Sequence, residues 1–132
     1  MHPNLDERKL TELDFVRLNR LAASTAAPHL ERLLRDADVV PSSEVPPDVV
    51  TMNAKVIVHD KALRKRRVLV VCYPDSAHAA AGRISVLSPA GTALLGLAAG
   101  AAATWAGPMG RANELQIEEV VFQPEAVGDY VT

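Results

Sequence analysis

Few side chains in this sequence are grouped in a way that could support catalysis or metal binding. The histidines are scattered, and none has a second ligand at metal-binding spacing; they are His2, His29, His59 and His78. A zinc site at the single cysteine, Cys72, needs three further ligands, which the apolar residues around it do not supply. The sequence therefore predicts neither a metal site nor a cofactor, and it favours Cys72 as a buried core residue over a catalytic thiol.

Asp75, Ser76 and His78 include the residue types of a nucleophilic triad and lie close together in sequence. A triad is defined by geometry in space rather than by adjacency along the chain, so we interpret this segment as a loop. No glycine-rich phosphate-binding motif occurs, and Gly91, Gly96 and Gly100 are better explained by close packing and helix termination. We predict no catalytic residue and expect a protein that is not an enzyme.

A basic run at residues 61–67 is the strongest local charge feature. Its cationic members are Lys61, Arg64, Lys65, Arg66 and Arg67. The run could provide an electrostatic contact for an acidic partner, or it could be a solvated hairpin tip that protects an edge strand from aggregation. No aromatic residue is interleaved to stack on bases. The pattern favours the solvated tip and, if a partner exists, a protein over direct DNA binding.

The composition limits the class of protein. The chain has 132 residues, a net charge of −2 and 48% hydrophobic residues, which suits one domain with a small appendage. A single cysteine excludes an internal disulfide and is typical of a reducing compartment, so we expect a cytoplasmic protein. The 27 residues between Arg83 and Arg111 carry no charge, but their prolines and glycines favour a buried strand and helix over a membrane span.

The small net charge conceals an uneven distribution. Residues 51–83 carry a net charge of +5, whereas residues 84–132 carry −4 and residues 1–40 carry −1. A basic and an acidic segment therefore share one domain. The N-terminal ten residues contain no apolar run of the kind found in secretory signals.

The first forty residues show helical periodicity. Thr11 is a predicted N-cap with Asp14 near the first-turn amides, and an apolar face at Leu13, Leu18 and Leu21 follows it to about Ala23. A second helix is predicted from Pro28 to Pro41, because leucines and alanine recur at helical spacing at Leu30, Leu33, Leu34 and Ala37. Residues 1–40 are thus interpreted as a short helical hairpin, followed by a stiff, extended proline-rich linker at residues 41–47.

Residues 48–132 show the periodicity of strands. Two valine-rich segments, Met52–Val58 and Arg66–Tyr73, flank a polar turn and predict a hairpin. A strand at Ile84–Leu87 leads into a helix that is capped by Ser88 and ends near Gly100. Further strands are predicted at Ala102–Ala106 and Glu114–Phe122. The expected fold class is α+β, with the helical hairpin preceding an antiparallel sheet packed on one helix.

Three segments resemble the Rnk family, the regulators of nucleoside diphosphate kinase, which are related to the Gre transcript-cleavage factors. These segments are residues 48–53 (DVVTMN), 84–97 (ISVLSPAGTALLGL) and 123–130 (QPEAVGDY). The resemblance implies an FKBP-like C-terminal domain after a short coiled coil. It also implies binding to RNA polymerase near the secondary channel, in competition with Gre factors.

In Gre-type proteins the turn before the domain's helix docks on the polymerase. The resemblance carries this role over to Leu87, Ser88, Pro89, Ala90 and Gly91. Gre activity depends on acidic residues at the tip of a much longer coiled coil, whereas residues 24–29 hold no carboxylate. We therefore expect a monomeric polymerase-binding regulator that does not stimulate transcript cleavage.

Two alternative functions stay open at this point. An FKBP-like fold is shared with peptidyl-prolyl isomerases, which need an aromatic-lined apolar pocket. The domain offers Tyr73, Trp105, Phe122 and Tyr130, and the sequence does not show that they converge. A nucleic-acid-binding module using the basic run is the other alternative, and its affinity would fall steeply with salt.

Overall fold

The computed structural model describes residues 7–130 and contains three helices and two sheets within that range. The helices are α1 (Glu12–Ser24), α2 (Pro28–Asp36) and α3 (Pro89–Leu94). The strands are β1 (Lys9–Thr11), β2 (Asp38–Val40), β3 (Lys55–Asp60), β4 (Lys65–Cys72), β5 (Arg83–Ser85), β6 (Ala102–Ala106) and β7 (Ala112–Phe122). The large sheet has the order β5-β4-β3-β7-β6, and β1 pairs with β2 in a separate two-stranded sheet.

Two helices occur in the N-terminal region, where the sequence periodicity predicts them. The Thr11 hydroxyl accepts a hydrogen bond of 3.1 Å from the Asp14 amide, which caps α1. Pro28 occupies the first turn of α2, and Leu30, Leu33 and Leu34 are buried as their spacing predicts. The second helix is shorter than expected, since it ends at Asp36 and the chain then becomes extended. Each helix therefore spans fewer than two heptads.

Two short strands at the base of the hairpin are absent from the sequence prediction, which assigned this region entirely to helix. Strands β1 and β2 run parallel on either side of the hairpin, with Leu10 opposite Val39. The Asp38 amide donates to the Arg8 carbonyl at 2.8 Å, and the Lys9 ammonium pairs with Glu7 and Asp38. Strands of three residues are too short to produce a recognisable alternation in sequence. They close the base of the hairpin.

Arg8 joins the base of the hairpin to the end of α3. One of its terminal nitrogens, Nη1, donates to the carbonyls of Thr92, Ala93 and Leu95 at 3.1, 2.9 and 2.8 Å. Thr92 and Ala93 lie in the last turn of α3 and Leu95 follows it directly, where carbonyls lack intrahelical donors and a positive charge is favourable. The helical hairpin is thus fixed to the sheet domain through the C-terminus of α3.

The C-terminal limit predicted for α3 is wrong. The helix ends at Leu94, well before Gly100, and Gly96 adopts a φ of 85°. The chain after the helix forms backbone hydrogen bonds with Val50: the Gly96 amide donates to the Val50 carbonyl, and the Val50 amide donates to the Leu97 carbonyl, both at 2.8 Å. This long-range pairing outweighs the helix propensity of the alanines that follow.

The predicted β3–β4 hairpin and the strands β6 and β7 are confirmed, but the sheet is not wholly antiparallel. Strand β5 runs parallel to β4, with Val71 opposite Ile84. Between these strands the chain passes through two 3-10 turns, Pro74–Ser76 and Ala79–Ala81, so that it re-enters the sheet in the original direction. The inner face of the mixed sheet packs on α3 in one core that contains Val56, Val58, Leu69, Val71, Leu94, Leu115 and Ile117.

The proline-rich segment at residues 41–47 is not an extended spacer. Ser42–Glu44 forms a 3-10 turn, and Val45 is buried. The buried side chain of Gln123 donates from Nε2 to the carbonyls of Pro46 and Val49 at 2.8 and 2.9 Å. These contacts fix the segment to the C-terminal end of the domain, which sequence composition alone does not predict.

A buried carboxyl group lies where α1 meets the sheet domain. Asp14 is 2% exposed, and its Oδ2 accepts a hydrogen bond of 3.2 Å from the Met52 amide rather than lying at the helix amides as predicted. Burial raises the pKa of Asp14 to about 6, against the lowering effect of the Met52 amide. Glu125, which accepts from the Thr51 hydroxyl at 2.7 Å, raises it further. Asp14 in its ionised form therefore opposes folding at neutral pH.

The Asp14→Asn variant is expected to change how stability depends on pH. The ordinary pKa of 3.8 rises to about 6 on folding, so the stability that Asp14 contributes is complete below pH 3.8 and is lost as the pH rises through 6. Urea unfolding should show the variant gaining about 2 kcal/mol on the wild type between pH 4.5 and 7.5.

The control for this experiment is Asp75→Asn, which alters an exposed carboxyl group on a 3-10 turn. Its free energy of unfolding should follow that of the wild type at both pH values. A constant difference between Asp14→Asn and the wild type over this range would contradict the assignment of a raised pKa to Asp14.

Candidate functional site

The turn between β5 and α3 is held in one conformation by hydrogen bonds of its serines. The Ser85 carbonyl accepts from the amide and the hydroxyl of Ser88 at 3.0 and 2.6 Å. The Ser88 hydroxyl accepts in turn from the Gly91 amide at 3.1 Å, as the predicted N-cap requires. Pro89 follows at the first helical position, where its fixed φ suits the helix and its missing N–H costs nothing.

Gly91 allows this turn to close tightly. A Cβ atom at that position would fall inside van der Waals contact of the Ser85 carbonyl oxygen, so no other residue fits without moving the backbone. On the next residue the Thr92 hydroxyl donates to the Val86 carbonyl at 2.5 Å. The strand, the turn and the first turn of α3 thus form one rigid unit.

The turn presents a small apolar surface to solvent. Pro89 is exposed, whereas Leu87 and Ala90 are half-buried and pack against the core. Leu87 and Pro89 also line a groove of about 900 Å³ between the helical hairpin, α3 and β6. Other residues that line this groove are Thr25, Pro28, Leu33 and Trp105. Of the residues predicted to bind polymerase, Leu87 and Pro89 therefore face the groove, and Ser88 and Gly91 support the turn from within.

Sequence reasoning missed the hairpin and β6 as walls of this groove. No local sequence pattern marks Trp105 as part of a groove, because Trp105 lies beside α3 only when β6 packs against that helix. Only the tertiary arrangement brings residues 25–37, 87–93 and 104–106 together.

Ion pairs largely neutralise the predicted basic surface. Lys61 pairs with Glu114 at 2.5 Å, Arg66 with Glu118 at 2.8 Å, and Arg67 with Asp60 at 3.1 Å. The glutamates lie on β7 and belong to the acidic C-terminal segment, so the two segments of opposite charge face each other.

The side chain of Asp60 is held at this surface by two hydrogen bonds. Burial opposes ionisation of its carboxyl group, but the Leu63 amide and the Arg67 guanidinium together lower its pKa. The remaining cations of the run, Arg64 and Lys65, are exposed at the hairpin end. This arrangement favours a solvated hairpin tip over a nucleic-acid surface.

The other candidate residues do not form sites. Cys72 is buried, its thiol donates to the Ile84 carbonyl at 3.5 Å, and burial raises its pKa. Within the described part of the chain, no hydrogen bond joins the side chains of Asp75, Ser76 and His78, and the His78 backbone instead pairs with Arg83. No group of three or more histidine, cysteine, aspartate or glutamate residues among positions 7–130 could hold a metal ion.

The aromatic residues considered for an isomerase pocket are dispersed. Trp105 lines the groove, but Tyr73, Phe122 and Tyr130 do not. Tyr73 packs against the core, where burial raises the pKa of its phenol to about 12. Phe122 and Tyr130 are exposed. The uncharged residues 84–110 include α3 and β6, and no helix in the described range is long and apolar enough to cross a bilayer.

Comparison with known proteins gives consistent results. Residues 45–122 match the family described as transcription elongation factor, GreA/GreB, C-term. The chain is 35% identical over 128 residues to the regulator of nucleoside diphosphate kinase of Escherichia coli (strain K12), covering 92% of this chain and 94% of that protein. It is 34% identical over 91 residues to transcription elongation factor GreA of Azorhizobium caulinodans, covering 69% of this chain and 57% of that protein.

A solved structure extends this agreement to the fold. The prokaryotic transcription elongation factor GreA/GreB from Nitrosomonas europaea superposes with a TM-score of 0.73 at 34% identity, covering 88% of this chain and 98% of that chain. The family match at residues 45–122 includes the turn at residues 87–91. The chain belongs to the Rnk family of regulators of nucleoside diphosphate kinase, which is related to the GreA/GreB elongation factors.

Proposed function

We propose that this protein is a transcription regulator that binds RNA polymerase at the secondary channel and competes there with Gre factors without stimulating transcript cleavage. It acts through the turn at residues 87–91. It works as a monomer in the cytoplasm and has no catalytic activity of its own. The FKBP-like character of the sheet domain and the coiled-coil character of the hairpin belong to the same proposal.

The observation that carries this proposal is the rigid, apolar turn before α3. Pro89 projects from a backbone that the Ser85, Ser88 and Gly91 hydrogen bonds hold in place. A preformed surface loses little conformational entropy when a partner binds, so a small turn can contribute usefully to affinity. The supporting contacts lie in the segment that resembles the docking element of Gre-type proteins.

The hairpin supports the absence of cleavage activity. Helix α1 has 13 residues and is therefore about 20 Å long. Its tip, residues 24–29, contains serine, threonine, alanine, proline and histidine but no carboxylate. The Ser24 and Thr25 hydroxyls donate to the Leu21 carbonyl at 3.0 and 2.9 Å and close the end of the helix. Because Mg²⁺ prefers carboxylate oxygens, this tip lacks the ligands to position a catalytic ion.

The basic hairpin contributes at most a secondary electrostatic contact in this proposal. Three of its five cations are in ion pairs with Asp60, Glu114 and Glu118. Exposed ion pairs are individually weak, yet they lower the local positive potential that a nucleic-acid backbone requires. A protein surface is therefore the preferred partner.

Replacing Pro89 with aspartate should weaken polymerase binding. The change places a charge in the centre of the apolar turn, while an acidic residue in the first helical turn remains compatible with α3. A pull-down with core RNA polymerase should show at least about tenfold weaker binding, equivalent to about 1.4 kcal/mol. Pro47→Asp is the matched control, since Pro47 is exposed and outside both the turn and the groove. Equal retention of polymerase by Pro89→Asp and Pro47→Asp would refute the docking site.

A transcript-cleavage assay tests the second part of the proposal. On stalled elongation complexes, the protein should give the same cleavage rate as a reaction without any factor, because its tip lacks carboxylates. Added to a reaction that contains a Gre factor, it should slow cleavage as its concentration rises. Acceleration of cleavage above that of a variant without residues 24–29 would contradict this account.

A further inference from the structure

The distal half of the helical hairpin, residues 16–35, is basic. It contains four arginines and one glutamate, Glu31, and therefore has a net charge of +3. No local run of cations marks it in the sequence, because apolar residues separate the arginines and place them on two helices. Acidic residues, including Glu7, Asp36 and Asp38, are at the base of the helical hairpin instead.

Three of these arginines have no partner within the described part of the chain. Arg20, Arg32 and Arg35 are exposed, and their guanidinium groups form no ion pair or hydrogen bond with a described residue. The basic run at residues 61–67 differs, because three of its five cations pair with acidic side chains. An unpaired guanidinium keeps all its donors for an anionic partner. The helical hairpin therefore presents positive charge that its own acidic residues do not neutralise.

The unpaired arginines lie on the outer sides of both helices. Successive residues of an α-helix are rotated by about 100°, so Arg20 lies opposite the buried Leu18 and Ala22 on α1. By the same geometry, Arg32 and Arg35 lie opposite the buried leucines of α2. The buried residues of both helices belong to one core cluster. The positive charge is therefore turned away from the core on two different helices and does not follow a single face.

This distribution favours the carboxylates of a protein over the phosphates of a nucleic acid. The guanidinium fork binds either group, so the choice depends on how the anions are arranged. A nucleic acid presents a continuous row of phosphates, and Glu31, one turn before Arg35 on the exposed side of α2, would repel such a row. The only Phe, Tyr or Trp side chain of the two helices, Phe15, packs against the core and is not available to stack on bases. Separate carboxylates can meet the arginines and avoid Glu31.

We propose that the distal half of the helical hairpin binds an acidic, concave surface of a partner protein through Arg20, Arg32 and Arg35. Carboxylates of that surface pair with α1 on one side and with α2 on the other. The inference deepens the proposed function and rests on it, because RNA polymerase is the partner expected to carry this acidic surface. It adds a second contact to that at residues 87–91, since Arg20 and Arg35 do not line the groove beside that turn.

The test measures binding of the full chain to fluorescently labelled core RNA polymerase by microscale thermophoresis. The variant Arg20→Gln/Arg35→Gln loses two charges, while glutamine preserves the helix propensity of arginine. At about 50 mM salt its affinity should be at least about tenfold lower than that of the wild type. At about 300 mM salt the difference should shrink to about threefold or less, because salt screens exposed charge pairs. Arg20→Lys/Arg35→Lys keeps both charges and should bind within about threefold of the wild type at low salt.

Arg64→Gln/Lys65→Gln is the matched control. It removes two exposed cations from the basic run and leaves the helical hairpin unchanged. The control should bind polymerase within about twofold of the wild type at low salt, because its charges lie outside the proposed contact. Far-ultraviolet circular dichroism should show the same helix content in all variants, so that a loss of affinity is not caused by unfolding of the helical hairpin.

Several results would overturn the inference. An unchanged affinity of Arg20→Gln/Arg35→Gln would do so, and so would equal weakening by the two glutamine variants, which would indicate a general attraction. Binding of the wild type to a single-stranded RNA or a duplex DNA oligonucleotide, lost in Arg20→Gln/Arg35→Gln, would assign the arginines to phosphate. A dimer of the free protein that the same variant dissociates in sedimentation would assign them to a second copy.

Pro89→Asp, measured in the same assay, separates this inference from the proposed contact at residues 87–91. Loss of affinity with Pro89→Asp but not with Arg20→Gln/Arg35→Gln would support the contact at the turn and refute the acidic contact. The reverse pattern would support the acidic contact and refute the contact at the turn. Absence of wild-type binding to polymerase would refute both.

Discussion

Helix α3 has only six residues, which is too short for a helix to be stable by itself. The domain therefore depends on hydrogen bonds to the free backbone groups at both ends of this helix. At the N-terminus the Ser88 hydroxyl accepts from the Gly91 amide and closes the turn at residues 87–91. At the C-terminus the Arg8 guanidinium binds three carbonyls and brings the base of the helical hairpin against the sheet domain. The same helix therefore fixes the turn at residues 87–91 at one end and the hairpin at the other.

This arrangement gives a small protein one defined surface beside α3. The turn, the hairpin and β6 surround one groove, and each wall is held to α3 by hydrogen bonds or by packing.

The charged residues of the sheet pair with one another. The basic and acidic segments face each other across β3, β4 and β7. The net charge of −2 is therefore the sum of many opposite charges, some of which pair within the sheet.

Local patterns in the sequence predict most of the helices and strands. Thr11, Ser88, Pro28 and Pro89 mark helix starts through capping and fixed backbone angles, and all four act in the structure as their types predict. Valine-rich alternation likewise identifies β3 and β4. The hairpin connecting them has a polar turn that local composition reveals.

Features that depend on distant contacts could not be predicted. The pairing of β1 with β2, the end of α3 near Leu94 and the parallel direction of β5 all follow from hydrogen bonds between residues far apart in sequence. Asp14 shows the same limit: its side chain was expected at the helix dipole, but the Met52 amide and the domain core determine its position. The docking role of residues 87–91 stays a prediction from family resemblance, whereas the groove beside this turn could be found only from the fold.

We propose that residues 87–91 contact RNA polymerase at a surface shared with Gre factors. Site-specific photo-crosslinking tests this contact directly, with a photoreactive amino acid at position 89 and a control at position 47, because Pro47 is exposed and lies outside both the turn and the groove. We expect a crosslink to core polymerase from position 89 that excess Gre factor removes, and none from position 47. A crosslink from position 47 alone, or one from position 89 that persists with excess Gre factor, would contradict the proposed contact.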